Sequence, residues 1–453
     1  MKKLFGTDGI RNKAHEGFLT QENLRRFGNI LGYWLKNKNR SKALSVIIAR
    51  DTRESGKWIE DNIISGLSSW GIKVLRAEVF PTPGLAFLIK KLGADLGIVI
   101  SASHNPWHDN GIKLLSRSGY KLKDAEEKEI ENLIFNEKTD AILEKENPKA
   151  ATIEEAADGK RLYIDHLKSI VENLSLKGKK IVLDCANGAN SEIAPKVYRE
   201  LGADVVAIYN KPSGKNINEN CGSLHPKVVA EEAKKQNADF GFTFDGDGDR
   251  VIMTDRYANI YDGDFMMAIV AKDFVKKNKL PENTIVGTQM TNIGLDIALH
   301  SMGCKIIKTD VGDRYVLDKM LENGYKFGGE QSGHIIFMDY STTGDGLITS
   351  LIMSKIITES GKEIKDLASV MKKMPQILLN IKVKEKVPLE SIKEVKARIE
   401  KYSKELGEKG RIFVRYSGTE PLARVMIEGP DKESIESMAN SIADAIKEAV
   451  GKA

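Results

Sequence analysis

Cysteine is almost missing from this chain: 453 residues contain only Cys185, Cys221 and Cys304. They stand far apart and lack metal-type spacing, so neither a disulfide framework nor a zinc site is supported. Long apolar runs are missing too. No stretch reaches the roughly 18 residues of a membrane span, and the opening MKKLFGTDGIR has a basic pair with no apolar segment behind it. Blocks of single-sign charge are also absent, since 69 basic and 64 acidic residues are interspersed and leave a formal +5. That describes a solvated surface and argues against a nucleic-acid or membrane partner. Proline fills only 12 positions while hydrophobic residues make up 41%, as in an ordered globular protein. The expectation is a soluble cytoplasmic protein.

What is present is a repeat. A chain of 453 residues exceeds one hydrophobic core and implies three or four domains of about 100–150 residues. Apolar strands open similar units at SVIIARDTRES (45–55), KIVLDCANGAN (180–190) and TIVGTQMTNIG (284–294). Each is answered by a second strand after a glycine, from Gly71, Gly202 and Gly303. Each then meets a third element: ADLGIVISASHNP from Ala94, ADFGFTFDGDGDR from Ala238 and YKFGGEQSGHIIF from Tyr325. Apolar strands alternating with helical segments predict α/β units on mixed, mostly parallel sheets. A Glu/Lys/Ala-rich stretch at 124–160 reads as exposed helix and linker. After KKMPQILLN (372–380), two amphipathic helices flank the strand pair RIFVRYSGTEPLARVMIEG and predict a small α+β domain. The expected domains are 1–155, 156–255 and 256–372, all α/β/α, then 373–453.

All three third elements end in unusual polar loops, and in open α/β sheets ligands sit beyond the carboxyl ends of strands. In FDGDGDR (244–250), Asp245, Asp247 and Asp249 alternate with glycines that permit tight turns. Two unit charges about 4 Å apart repel by roughly 4 kcal/mol at an effective dielectric of 20, so clustered carboxylates call for a cation. Oxygen-only ligands favour Mg²⁺ over zinc. A calcium EF-hand is excluded because its obligatory Gly and Glu positions hold Arg250 and Arg256. The SASHNP loop offers a serine hydroxyl, and a serine that exchanges a phosphoryl group needs a divalent cation nearby. Lys113 in DNGIK becomes a proton carrier if burial or a nearby cation lowers its pKa. In GGEQSGH, Glu330, Ser332 and His334 fall on alternate positions and are expected to share a face suited to sugar hydroxyls. RYSGTEPLAR supplies Arg415, Ser417, Gly418, Thr419 and Arg424, which suit a phosphate held without being reacted.

With FGTDGIR, ISASHNP, DGDGDRV, GGEQSGH and SGTEPLARVM together, the chain resembles the α-D-phosphohexomutase family over essentially its whole length. TTGDG (342–346) and DVGDRYV (310–316) point to its glucosamine branch and bring Asp313 among the substrate-binding candidates. The resemblance implies four domains around a central cleft, with Ser103 as the phosphorylated residue. Ser103, Asp245, Asp247 and Asp249 would bind one Mg²⁺ per chain. Glu330 and Ser332, with His334, would hold the sugar, and Arg415, Ser417, Gly418, Thr419 and Arg424 the non-reacting phosphate. Arg11 and Arg250 would line the cleft, and Lys113 or His104 would move the proton. The implied reaction interconverts hexosamine 6- and 1-phosphates through a 1,6-bisphosphate, in a monomer or homodimer. A phosphomannomutase or phosphoglucomutase with the same machinery is the nearest alternative. A phosphatase would release free phosphate, and a binding protein would never gain phosphate on Ser103.

Overall fold

The apolar runs of the repeats form strands whose residues are buried on both faces, which explains why they do not alternate with polar residues. The computed structural model describes residues 4–6, 8–38, 43–143, 152–417 and 421–451. The chain divides into two compact units, residues 1–289 with 307–368, and residues 290–306 with 369–453.

In the first unit, six strands form one sheet: β1 (Ile10–Lys13), β2 (Ser45–Arg50), β3 (Lys73–Val79), β4 (Leu96–Ile100), β5 (Asp109–Ser116) and β6 (Ile153–Glu155). Their spatial order is β1-β5-β4-β2-β3-β6. A second sheet holds β7 (Lys180–Asp184), β8 (Asp204–Ile208), β9 (Phe240–Phe244), β10 (Val251–Asp255) and β11 (Ile260–Tyr261), ordered β11-β10-β9-β7-β8. A third holds β12 (Thr284–Thr288), β13 (Lys305–Thr309), β14 (Phe327–Gly329) and β15 (Ile335–Phe337), ordered β13-β12-β14-β15.

One plan recurs. The repeat's first strand lies centrally, its second and third flank it, and a fourth strand (β5, β10 or β15) returns antiparallel to the third. Each candidate loop therefore joins a third strand to its antiparallel return strand. The sheets are mixed, as the sequence suggests.

The second unit contains an antiparallel sheet of β16 (Gln376–Lys382), β17 (Arg411–Tyr416) and β18 (Leu422–Glu428), ordered β16-β18-β17. The helix Lys393–Leu406 connects β16 to β17, and the helix Lys432–Val450 follows β18. Residues 290–306 also belong to this unit. Glu428, fully buried, accepts from Asn292 Nδ2 (3.1 Å), the Ile293 amide (3.1 Å) and Arg411 Nε (2.6 Å). Of the segment expected at 256–372, residues 256–289 and 307–368 fall in the first unit, and 290–306 and 369–372 in the second. The second sheet also runs past 255, because β11 pairs with β10 through Met253 and Tyr261. Among the described residues, no helix is long and apolar enough to cross a membrane.

Two helices on the first sheet approach at glycines. A Cβ on Gly28 of α1 (Gln21–Lys38) would lie 2.1 Å from the Ile63 carbonyl oxygen, and one on Gly66 of α2 (Glu54–Leu67) 2.1 Å from that of Arg25. Gly28→Ala should therefore cost about 1–3 kcal/mol through overpacking, despite alanine's better helix propensity. Calorimetry should show a lower midpoint for the first unit's transition.

Candidate active site

Ser103 lies just beyond the buried strand β4, and the serines there have distinct tasks. Ser101 Oγ donates to Asp51 Oδ2 (2.6 Å) and accepts from the Ser103 amide (2.9 Å). Ser103 is 1% exposed and holds a left-handed φ of 51°, unusual for a residue with a Cβ. Its carbonyl accepts from Arg53 Nη2 (3.0 Å) and Asn218 Nδ2 (2.9 Å). Arg53 also donates to the carbonyls of Asn105 (2.8 Å), Asp109 (3.0 Å) and Pro106, while its Nε meets Asp51 at 2.8 Å. One buried guanidinium thus binds four carbonyls of this segment.

From this position Ser103 Oγ donates to Asp245 Oδ2 at 2.7 Å, joining residues 142 positions apart. Asp245, Asp247 and Asp249 occupy the β9–β10 loop, where each offers a carboxylate oxygen within 4.8 Å of the others. Gly246 permits the two loops to touch, since a Cβ there would lie 2.6 Å from the Ser103 carbonyl oxygen. Burial, then Asp249 and Asp247, push the Asp245 carboxyl well above its ordinary pKa. Oδ1 of Asp247 and Oδ1 of Asp249 are buried and accept no hydrogen bond among the described residues. Buried acceptors left without donors, beside an Asp245 carboxyl whose ionisation is disfavoured, fit a hard divalent cation.

Lys113, 2% exposed on β5, places Nζ 2.9 Å from Asp247 Oδ2, 3.1 Å from Asp8 Oδ2 and 3.7 Å from Asp249 Oδ2. Burial favours its neutral form, but Asp247, Asp8 and Asp249 outweigh burial and raise its pKa well above the usual value. The condition set from the sequence, a lowered lysine pKa, is therefore not met in this arrangement. His104 is pushed down to about 4, by burial and then by Arg250 and Arg11. Its Nδ1 lies 3.3 Å from Ser103 Oγ and 3.1 Å from Arg250 Nη1. Arg11, on β1, donates to Asn105 Oδ1 at 3.2 Å and pairs with Asp8.

A cavity of about 480 Å³ collects Arg11, His104, Asp249, Arg250, Glu330 and His334, along with Asp8 and Asp313. Ser332 is not on its wall. Glu330 to His334 form a tight connection between β14 and β15, closed by Glu330 N–H to the His334 carbonyl (2.9 Å) and Gly333 N–H to the Glu330 carbonyl (3.0 Å). Alternate positions in such a turn do not share a face, and Ser332 is exposed where His334 is buried.

In the second unit, Arg415 on β17 stands directly opposite Arg424 on β18. Like charges opposed across a ladder are unfavourable without an anion between them. The buried Ser417 follows β17, and its carbonyl accepts from Lys386 Nζ at 2.6 Å. Gly418 and Thr419 lie outside the described residues.

Arg53, Asp51, Asn218, Asp8, Lys121 and Lys386 were not singled out from the sequence. Arg53 left one signal: RDTR follows the first strand where the second repeat has DCANG. Asp51 and Asp184 match in both, since Asp184 accepts from Thr243 Oγ1 (2.9 Å) as Asp51 does from Ser101.

Residues 2–141, 161–258 and 262–374 match phosphoglucomutase/phosphomannomutase alpha/beta/alpha domains I, II and III, and residues 378–445 match that family's C-terminal domain. A phosphoglucosamine mutase from Geobacter metallireducens is 48% identical over 454 residues, covering 100% of both chains. One from Syntrophotalea carbinolica is 45% identical, covering 99% of this chain and 98% of the relative. Among solved structures, a phosphoglucomutase/phosphomannomutase family protein from Burkholderia thailandensis superposes with a TM-score of 0.82 at 22% identity, covering 99% and 98% of the two chains. An N-acetylphosphoglucosamine mutase from Aspergillus fumigatus, in complex with GlcNAc-6P and magnesium, gives 0.67 at 18% identity, covering 99% and 96%.

Proposed function

This chain belongs to the phosphoglucomutase/phosphomannomutase family, and from that premise we propose that it is a phosphoglucosamine mutase working through phospho-Ser103. It is an isomerase that interconverts glucosamine 6-phosphate and glucosamine 1-phosphate. The observation that carries the reading is the 2.7 Å contact between a buried serine hydroxyl and a three-aspartate cluster from a distant loop. Full-length similarity to phosphoglucosamine mutases supports the amino sugar as substrate.

Phospho-Ser103 gives its phosphoryl group to the free sugar hydroxyl: the bond from phosphorus to Ser103 Oγ breaks and one to the sugar oxygen forms. The resulting 1,6-bisphosphate reverses its orientation, and its other phosphoryl group returns to Ser103. Asp245, Asp247 and Asp249, with Ser103, hold Mg²⁺, which supplies positive charge to offset the phosphoryl oxygens. Arg11 and Arg250 add cationic character on the cavity wall. His104 Nδ1, 3.3 Å from Ser103 Oγ, is within reach of a proton moving on or off that oxygen. Lys113 keeps Asp247 and Asp8 in place with a fixed positive charge. Glu330 and His334, which line the cavity, hold sugar hydroxyls. Arg415, Ser417, Gly418, Thr419 and Arg424 hold the phosphate that is not reacting.

The test is turnover of glucosamine, glucose and mannose 6-phosphates, together with intact mass before and after bisphosphate treatment. The expected result is preferred conversion of the amino sugar, one phosphoryl group mapped to Ser103 and no stoichiometric free phosphate. Steady phosphate release would instead mark a phosphatase. Asp247→Asn should weaken Mg²⁺ or Mn²⁺ binding by at least about 10–100-fold, the cost of losing even an outer partner of a metal site. Calorimetric titration checks this directly. Chelation should stop turnover until Mg²⁺ is returned.

A further inference from the structure

A glucosamine phosphate differs from its glucose counterpart by an ammonium group at carbon 2, so a selective cavity needs an anionic acceptor that can meet it. Four carboxylates line the 480 Å³ cavity: Asp8, Asp249, Asp313 and Glu330. Asp8 is already shared among Arg11, Lys113 (3.1 Å) and Lys121 (2.6 Å). Asp249 belongs to the metal cluster, and Glu330 faces the positive field of Arg250.

Asp313 differs from all three. It is the first residue of the helix Asp313–Asn323, where the N-terminal dipole favours negative charge. Its Oδ2 accepts from Lys121 Nζ at 2.6 Å and lies 3.7 Å from His334 Nε2, while Oδ1 accepts no hydrogen bond among the described residues. Burial alone would raise its pKa, but Lys121, followed by His334, reverses that and holds the carboxyl below its usual value. Lys121 is not on the wall of this cavity; it lines a neighbouring one of about 580 Å³. Because it is divided between Asp8 and Asp313, it orients both carboxylates and fully neutralises neither.

Resting on the phosphoglucosamine mutase reading, we propose that Asp313 is the specificity-determining residue that receives the carbon-2 ammonium, and that Lys121 is the positioning residue that aims it. Selectivity for an amino sugar over its 2-hydroxyl counterpart then resides in one charge-assisted contact, which a hydroxyl can form only as an ordinary hydrogen bond.

The test is the ratio of kcat/KM for glucosamine 6-phosphate to that for glucose 6-phosphate, measured in the Mg²⁺-loaded wild type and in Asp313→Asn, Lys121→Met and Lys121→Arg. Asp313→Asn should lower the ratio by roughly 10–100-fold, the worth of a charge-assisted hydrogen bond, with the larger loss falling on the amino sugar. Lys121→Met should lower it in the same direction, and Lys121→Arg should restore most of it. The ratio is internal to each preparation, so a partly misfolded variant still reports it. A wild-type ratio near one would overturn the functional reading itself. A high wild-type ratio left unchanged in Asp313→Asn, or equal loss of both substrates, would overturn this assignment alone.

Discussion

Ser103→Ala is expected to bind metal, keep its fold and turn over at background, with kcat reduced by about 10⁴-fold or more, on the scale seen when a covalent nucleophile is removed. No phosphoryl group should appear in its intact mass after bisphosphate treatment. Ser103→Gly should be equally inactive, but the two variants should differ in stability. Residue 103 has a φ of 51°, a conformation costing an L-residue roughly 1–2 kcal/mol and glycine almost nothing. Ser103→Gly should therefore unfold at a higher temperature than Ser103→Ala, by less than the full strain because glycine also gains freedom when unfolded. Wild-type turnover in either variant would remove the phosphoserine mechanism. Equal midpoints would show that the loop relaxes when the hydroxyl is lost.

How much of this was legible beforehand depended on whether a feature was local. The buried run LGIVI, the glycine alternation of DGDGDR and the threefold spacing of the repeats are short-range patterns, and each has its structural counterpart in β4, the β9–β10 loop and the shared strand order. The antiparallel return strands were not read as such, and this explains the Ser332 discrepancy: strand-like alternation assigned to GEQSGH belongs to a turn. The contact that ties residues 290–306 to the second unit has no local pattern either. Glu428 reaches back across 136 positions to Asn292, and although both residues lie in stretches that read as strands or repeat openings, a pairing at that separation leaves no short-range spacing to read. Lys121 has no local signal either, since its partners Asp8 and Asp313 lie 113 and 192 positions away. Pattern reading finds groups that contact ligands more readily than the groups that hold them.

Arg53→Met should reveal such a holding group as clearly as Ser103→Ala reveals the nucleophile. The guanidinium is completely buried, and it serves the carbonyls of Ser103, Asn105, Pro106 and Asp109 as well as Asp51. Methionine fills much of the volume and donates nothing. Each buried carbonyl left unpaired costs about 1–3 kcal/mol, and stranding Asp51 without its partner costs about 3–5 kcal/mol. These terms are not additive, because a loosened loop admits water and Asn218 still donates to the carbonyls of Ser103 (2.9 Å) and Asn105 (3.1 Å). A net loss of about 3–5 kcal/mol is expected, read as a lower midpoint for the first unit. Activity should fall by at least about 10²-fold, since a displacement near 1 Å is enough to misalign a reacting group. Lys at this position should rescue only part, because a single ammonium has three donors and cannot reproduce a planar fork reaching four carbonyls and a carboxylate. The order of failure is the informative result: loop opening should abolish phosphate transfer to Ser103 while metal binding by the aspartates, whose loop receives no hydrogen bond from Arg53 among the described residues, persists in part. If Arg53→Met kept both its midpoint and its phosphoserine, the positive φ of Ser103 would have to be held by its other contacts, to Ser101, Asp245, Gly246 and Asn218.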